Sequence, residues 1–238
     1  MTELTPRQID LLKLIIKEYS HSGEPVGSEL LEKKYHVGVS PATIRNEMVE
    51  LTRHGYLKKS YFSAGRIPTS KAFRFYIKYL MEEKEMSTAE EVSAKSDIWD
   101  FKGELNRLML HATQTLAHKT RLLAAASTNN GDIFIFGVNY ILENKEFQDM
   151  ERTRQLFHKC EGAGFWANIL TQFSAIDDNL LFLFDEEPES DEVASVFGEF
   201  GSGDIKGTIG VIGPRRMRYE TIVPHIRYFT SLIEEIIK

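Results

Sequence analysis

The sequence predicts an α+β protein, with a basic winged helix-turn-helix head followed by an acidic α+β body. Three observations carry this. Residues 1–80 hold 13 Lys and Arg against 8 Asp and Glu, whereas residues 81–238 hold 16 against 27, so a net charge of -6 hides opposite signs in the two parts. The first 55 residues contain two Ser/Thr-capped, proline-started helices around a shorter one, and a strand-turn-strand pattern follows. The remainder alternates amphipathic helices with short apolar runs bounded by turn residues. The expected divisions are a DNA-binding head over 1–80, a helical connector or dimer segment over 81–120 and a body over 121–238.

In the head, Thr5-Pro6-Arg7-Gln8 is a capping box with proline at the first helical position. Ile9, Leu12, Ile15, Ile16 and Tyr19 then recur at helical spacing until Gly23 and Pro25. Ser28 can cap a short helix to Tyr35 that buries Leu30, Leu31 and Tyr35, and residues 36–39 form a tight turn. Ser40-Pro41 starts a third helix in which Ile44, Met48 and Leu51 face inward and Gly55 is the stop. Together these elements are a helix-turn-helix.

The outward residues near the start of the third helix are Ser40, Ala42, Thr43, Arg45 and Asn46. In helix-turn-helix proteins this end meets base edges. Arg can hold guanine O6 and N7, Asn can pair with adenine, and Ala or the Thr methyl can meet a thymine methyl. Residues 56–59 read as a strand, Ser60 to Gly65 as a turn and Arg66-Ile67-Pro68 as the return strand, which makes a wing. Lys58, Lys59 and Arg66 would lie along phosphates or reach a minor groove, and Gly65 would let the turn close. Thr69 caps a fourth helix whose Phe73, Tyr76, Ile77 and Leu80 repeat at helical period and so serve packing.

In the body, Ser87 and Glu90 form a second capping box, and a long helix from Asp97 carries Ile98, Phe101, Leu105, Leu108, Met109, Ala112 and Leu116 on one face. That face and the fourth helix are the expected surfaces for a second copy. Strands are expected at 121–126, 133–136, 180–185, 193–199 and 205–212, helices at about 149–160 and 164–173, and a last amphipathic helix from Tyr219.

Enzyme chemistry finds no footing. Gly201, Gly203 and Gly207 have the wrong spacing for a phosphate loop and precede a strand, so they read as a turn. His158 and Cys160 lack the further ligands of a metal site, and one cysteine permits no intramolecular disulfide. The acidic run over 185–192 reads as a solvated loop interrupted by Pro188. No cofactor or metal is expected. No apolar run reaches membrane-spanning length and no signal peptide is evident, so the expected location is the cytoplasm.

Four blocks resemble the HrcA family: Glu24-Pro25-Val26-Gly27-Ser28, residues 39–48, Gly55-Tyr56-Leu57, and residues 63–69. A C-terminal block over 207–219 resembles the same family. The resemblance implies a dimeric heat-shock repressor that binds an inverted-repeat operator upstream of chaperonin genes, with GroEL-type chaperonin support. It also implies that the body is a reduced GAF-like domain. The alternative is a regulator whose GAF-like body senses a small molecule and controls other genes, which ligand-dependent melting of the body would reveal. Two departures stand out: Tyr61-Phe62 replaces a frequent Pro-His pair, and the middle of the chain is about a hundred residues short of the family.

Overall fold

The computed structural model describes residues 4–60, 64–173, 179–185 and 192–238. They form two compact units, Met1–Glu82 with Arg216–Tyr219, and Glu83–Arg215 with Glu220–Lys238.

The first unit runs α1 (Pro6–Ser22), α2 (Ser28–Tyr35), α3 (Pro41–Arg53), β1 (Leu57–Lys59), β2 (Arg66–Pro68) and α4 (Ser70–Tyr79). The capping box at its start is formed as expected: the Gln8 N–H donates to Thr5 Oγ1 at 3.3 Å and the Thr5 N–H donates to Gln8 Oε1 at 3.0 Å. Gly23, at φ 66°, ends α1 by donating its N–H to the Tyr19 carbonyl. Leu11, Leu12, Ile15, Ile16, Leu31, Ile44, Leu51 and Phe73 are buried at 1% exposure or less. Each such side chain stabilises the fold by about 1.5–3 kcal/mol.

Several sequence expectations shift by a residue or a face. Ile9 is half-buried and Leu11 occupies the interior. Leu30 is 41% exposed while Leu31 is buried, because adjacent helical residues point about 100° apart and only one can face the core. Ser28 is the first residue of α2, and Gly27, in extended conformation, is the N-cap. In α4, Ala72, Phe73 and Phe75 are buried, whereas Tyr76, Ile77 and Leu80 are half-buried. Phe75 turns toward the start of β1, where its ring meets Tyr56 edge to face at 5.4 Å.

Glu18 ties α1 to α2. It is 5% exposed, and its Oε2 accepts hydrogen bonds of 2.7 Å from both Lys34 Nζ and the Tyr35 hydroxyl. The Lys34 ammonium holds the Glu18 carboxyl below its usual range, and burial beside that carboxylate pushes the Tyr35 phenol up to about 12.

The second unit contains α5 (Thr88–Trp99), α6 (Leu105–Thr120), β3 (Leu123–Thr128), β4 (Ile133–Phe136), α7 (Val138–Leu142), a 3-10 turn (Lys145–Phe147), α8 (Met150–Glu161), α9 (Ala163–Phe173), β5 (Leu180–Phe184), β6 (Val193–Ser202) and β7 (Ile205–Pro214). It ends in α10 (Tyr219–Ile237), from Glu220 onward. Among the described residues the strands form an antiparallel sheet in the order β4-β3-β7-β6-β5. Leu123, Ala125, Phe197 and Ile212 on one face pack with Leu156, Trp166 and Ile169 of α8 and α9. On the other face α10 approaches so closely that a Cβ at Gly198 would lie 2.6 Å from Thr230. Helices therefore cover both faces of the sheet.

The long helix expected from Asp97 is two helices. The chain turns over residues 100–104, with Gly103 at φ 89° and the Phe101 ring stacked on His111 at 3.8 Å. Leu108, Met109, Ala112 and Leu116 are buried at 1% or less inside this unit, so the face assigned to a second copy is already used by the unit's own core. The strand expected at Arg121 starts at Leu123, because Arg121 adopts the left-handed conformation that ends α6. Gly203, at φ 58°, lies in the turn between β6 and β7, and a strand follows it. Of the acidic run, Asp185 pairs with Lys159 at 2.7 Å and Glu192 with Arg152 at 2.9 Å, and residues 186–191 lie outside the described residues. Cys160 is 1% exposed, and burial pushes its thiol up to about 12. Among the described residues no helix is long and apolar enough to cross a membrane.

Candidate nucleic-acid interface

Helix α3 begins at a cap that uses both of its hydroxyl groups. Ser40 Oγ accepts the Thr43 N–H at 3.2 Å and lies 3.0 Å from Thr43 Oγ1, and Pro41 fills the first helical position. Burial of Ile44, Met48 and Leu51 fixes the rotation of the helix, which leaves Ala42, Arg45 and Asn46 exposed on its outer face and Thr43 half-buried. Gln8 of α1 donates to Glu47 at 3.0 Å, bracing that rotation from the inner side.

The hairpin decides which cations share a face. Lys59 pairs with Arg66, and Lys58 with Ile67. Side chains alternate along a strand, so Lys59 and Arg66 lie on one face and Lys58 on the other. The three expected wing cations are therefore divided two to one. Two like charges directly opposite one another destabilise an antiparallel pair unless an anion offsets them.

A third segment closes the hairpin. Val26 forms an isolated antiparallel bridge with Arg66. Gly65 lies against the preceding residue: a Cβ there would fall 2.8 Å from Pro25 Cβ and 2.9 Å from the Pro25 carbonyl carbon and oxygen. Glycine is required at 65 for this close approach, while the turn-closing role expected from sequence involves residues 61–63, which lie outside the described residues. Arg66 is held in turn by Thr52 of α3. Its Nε donates to Thr52 Oγ1 at 3.2 Å and its Nη1 to the Ala64 carbonyl at 3.1 Å, while the Thr52 hydroxyl donates to the Met48 carbonyl at 2.7 Å. Residues 61–63, including Tyr61 and Phe62 of the expected turn, lie outside the described residues.

Between the start of α2, the outer face of α3 and the hairpin lies a cleft of about 520 Å³. Arg45, Lys59 and Arg66, three cations expected from sequence, line it together, with Ser28, Glu29 and Met48. Ser40 lines a separate depression beside the turn before α3. Lys58, Ala42, Thr43 and Asn46 do not line the cleft. Sequence reasoning missed Val26 and Ser28 as parts of this site. The available signal was a glycine, with no side chain to cap a helix, standing just before Ser28.

The family model described as the HrcA protein C terminal domain matches residues 47–223. A heat-inducible transcription repressor HrcA from Alkaliphilus metalliredigens is 39% identical over 124 residues, 52% of this chain and 36% of that protein. Another from Clostridium acetobutylicum is 40% identical over 121 residues, 50% of this chain and 35% of that protein. These two matches thus span about a third of the relatives' own length. A third from Roseiflexus castenholzii is 23% identical over 341 aligned positions, 99% of this chain and 95% of that protein. That alignment is longer than the 238 residues available here, so the relative carries segments without a counterpart in this chain. A crystal structure described as that of a hypothetical protein superposes with a TM-score of 0.78 at 17% identity over 98% of both chains, which is a likeness of fold.

Proposed function

The chain belongs to the HrcA family, and from that premise we propose that it is a DNA-binding transcription repressor of heat-shock and chaperonin genes that reads an inverted-repeat operator as a dimer. The observation that carries the reading is the convergence of Arg45, Lys59 and Arg66 on one cleft beside the exposed, capped start of α3. In this reading the first unit is a winged helix-turn-helix, α3 is its recognition helix and β1-β2 its wing. Arg45, Asn46, Ala42 and the Thr43 methyl meet base edges. Lys59 and Arg66 follow the phosphates, as does Lys58 from the other face of the hairpin. The Ser40 hydroxyl serves the helix as its cap and holds Thr43 in place.

The second unit, with helices on both faces of an antiparallel sheet, is the reduced GAF-like body in this reading. An inverted repeat requires a reader with two-fold symmetry, and one helix with one hairpin contacts too few base pairs for operator specificity. Dimerisation follows from that need, on a surface other than the buried face of α6. The GroEL-type chaperonin is the partner proposed to support activity. Footprinting and gel shifts on the promoter of the host's chaperonin operon test the reading. Protection of an inverted repeat, with a two-protomer complex in sedimentation, is expected; equal affinity for that promoter and for a random duplex would remove operator recognition.

A further inference from the structure

We propose that the cleft between α2, α3 and the hairpin is a seat for a single backbone phosphate of the duplex, with Ser28 and the free amides at the start of α2 as its donors. The inference rests on the DNA-binding reading above and adds to it a site away from the recognition helix.

The start of α2 differs from the other helix starts of this unit. Thr5, Ser40 and Thr69 each cap α1, α3 and α4 with a side-chain oxygen. Gly27 has none to offer, and the first amide of α2 to find a carbonyl is that of Leu31, bonded to Gly27. Among the described residues the N–H groups of Ser28, Glu29 and Leu30 have no acceptor. Such amides carry a partial positive charge and point along the helix axis toward whatever lies before it. An oxyanion there satisfies them.

Ser28 supplies the independent observation. The residue is 6% exposed and lines the cleft, and its hydroxyl has no hydrogen-bond partner among the described residues. A hydroxyl without a protein partner, on a mostly buried residue that lines the cleft, is free to donate to a ligand there. The surroundings specify an anion: Lys59 and Arg66 stand opposite each other across the strands, and among the described residues Glu29 is the one carboxylate on the lining, while Arg45 on the α3 side is left to the bases. Even without Arg45, two cations against one carboxylate leave the seat positive. The Val26 bridge to Arg66 and the contact of Gly65 with Pro25 join the hairpin to the segment leading into α2, so the amides and the cations belong to one framework.

The test uses the full chain, the chaperonin-operon repeat and a random duplex of equal length. Ser28→Ala removes an uncharged donor, so both duplexes should bind about tenfold more weakly with an unchanged salt slope. Glu29→Gln, at an exposed position that does not threaten folding, should tighten both by about threefold. A scan of the repeat with single neutral methylphosphonates on the wild-type chain should find one phosphate per half-site whose neutralisation weakens binding, and Ser28→Ala should add no further loss at that phosphate. Equal binding by Ser28→Ala and wild type, or additive losses at every phosphate, would overturn the seat while leaving the DNA reading intact. If the wild-type chain binds neither duplex, the DNA reading itself falls.

Discussion

Val26 and Arg66 exchange two backbone hydrogen bonds, each 2.9 Å long, so that the segment before α2 acts as a third strand beside the hairpin. One residue before this bridge on each segment, Gly65 packs against Pro25 without room for a β-carbon of its own. This junction sets where Arg66 stands relative to α2 and α3. Gly65→Ala should therefore weaken DNA binding and cost about 1–3 kcal/mol of stability, because backbone atoms of Pro25 must move to admit the methyl group. Thermal melts and gel shifts read both effects. An unchanged melt would show that the contact yields freely.

The exposed pair Arg45 and Asn46 provides a test of base reading. Arg45→Ala or Asn46→Ala should weaken binding to the cognate repeat by about 1–3 kcal/mol and leave a random duplex nearly unaffected. Competition gel shifts separate the cases. Equal losses on both duplexes would assign these residues to phosphates.

The division of the hairpin cations makes the salt dependence informative. Lys59→Ala should reduce the slope of log affinity against log salt by about 1, on specific and random DNA alike. Lys58 faces away from the cleft, so if Lys59→Ala and Lys58→Ala reduce the slope equally, phosphates are engaged on both sides of the hairpin. Arg66→Ala should lose affinity and also stability, since it removes the bonds to Thr52 and Ala64 that hold the hairpin to α3. Titrations at several salt concentrations check all three variants, and an unaltered slope in each would remove the hairpin from the interface.

Glu18 and Tyr35 give the first unit a stability profile with two flanks. The Glu18 carboxyl is depressed in the folded state, so its contribution is fully present above the unfolded value near 4.5 and is lost as pH falls through the lower folded value. The Tyr35 phenol is raised, so its contribution is fully present below the unfolded value of 10.0 and is lost as pH rises through about 12. Glu18→Gln should lower stability at neutral pH by about 1 kcal/mol and flatten the acid flank. Denaturant unfolding across pH provides the measurement. A variant with the wild-type acid flank would show that other carboxylates set it.

By itself the sequence determined whatever depends on neighbours a few residues apart. Thr5 with Gln8, Ser40 with Pro41, Thr69 and Ser87 with Glu90 set helix starts at 6, 41, 70 and 88, because a cap satisfies amides within its own turn. Apolar periodicity likewise placed Ile44, Met48 and Leu51 inside and Arg45 and Asn46 outside. Tertiary structure decided what depends on residues far apart in the chain. Whether Lys58 or Lys59 joins Arg66 follows from strand register, a one-residue choice that flips the face of every side chain. The face of α6 that reads as a free apolar stripe is consumed by the unit's own core, because an amphipathic pattern shows that a face is buried without naming its cover. Gly65 needs to be glycine on account of Pro25, forty residues earlier, and Ser28 enters the cleft only because α2, α3 and the hairpin meet there. Those contacts arise from chain closure over long separations, for which neither capping nor periodicity carries a local signal.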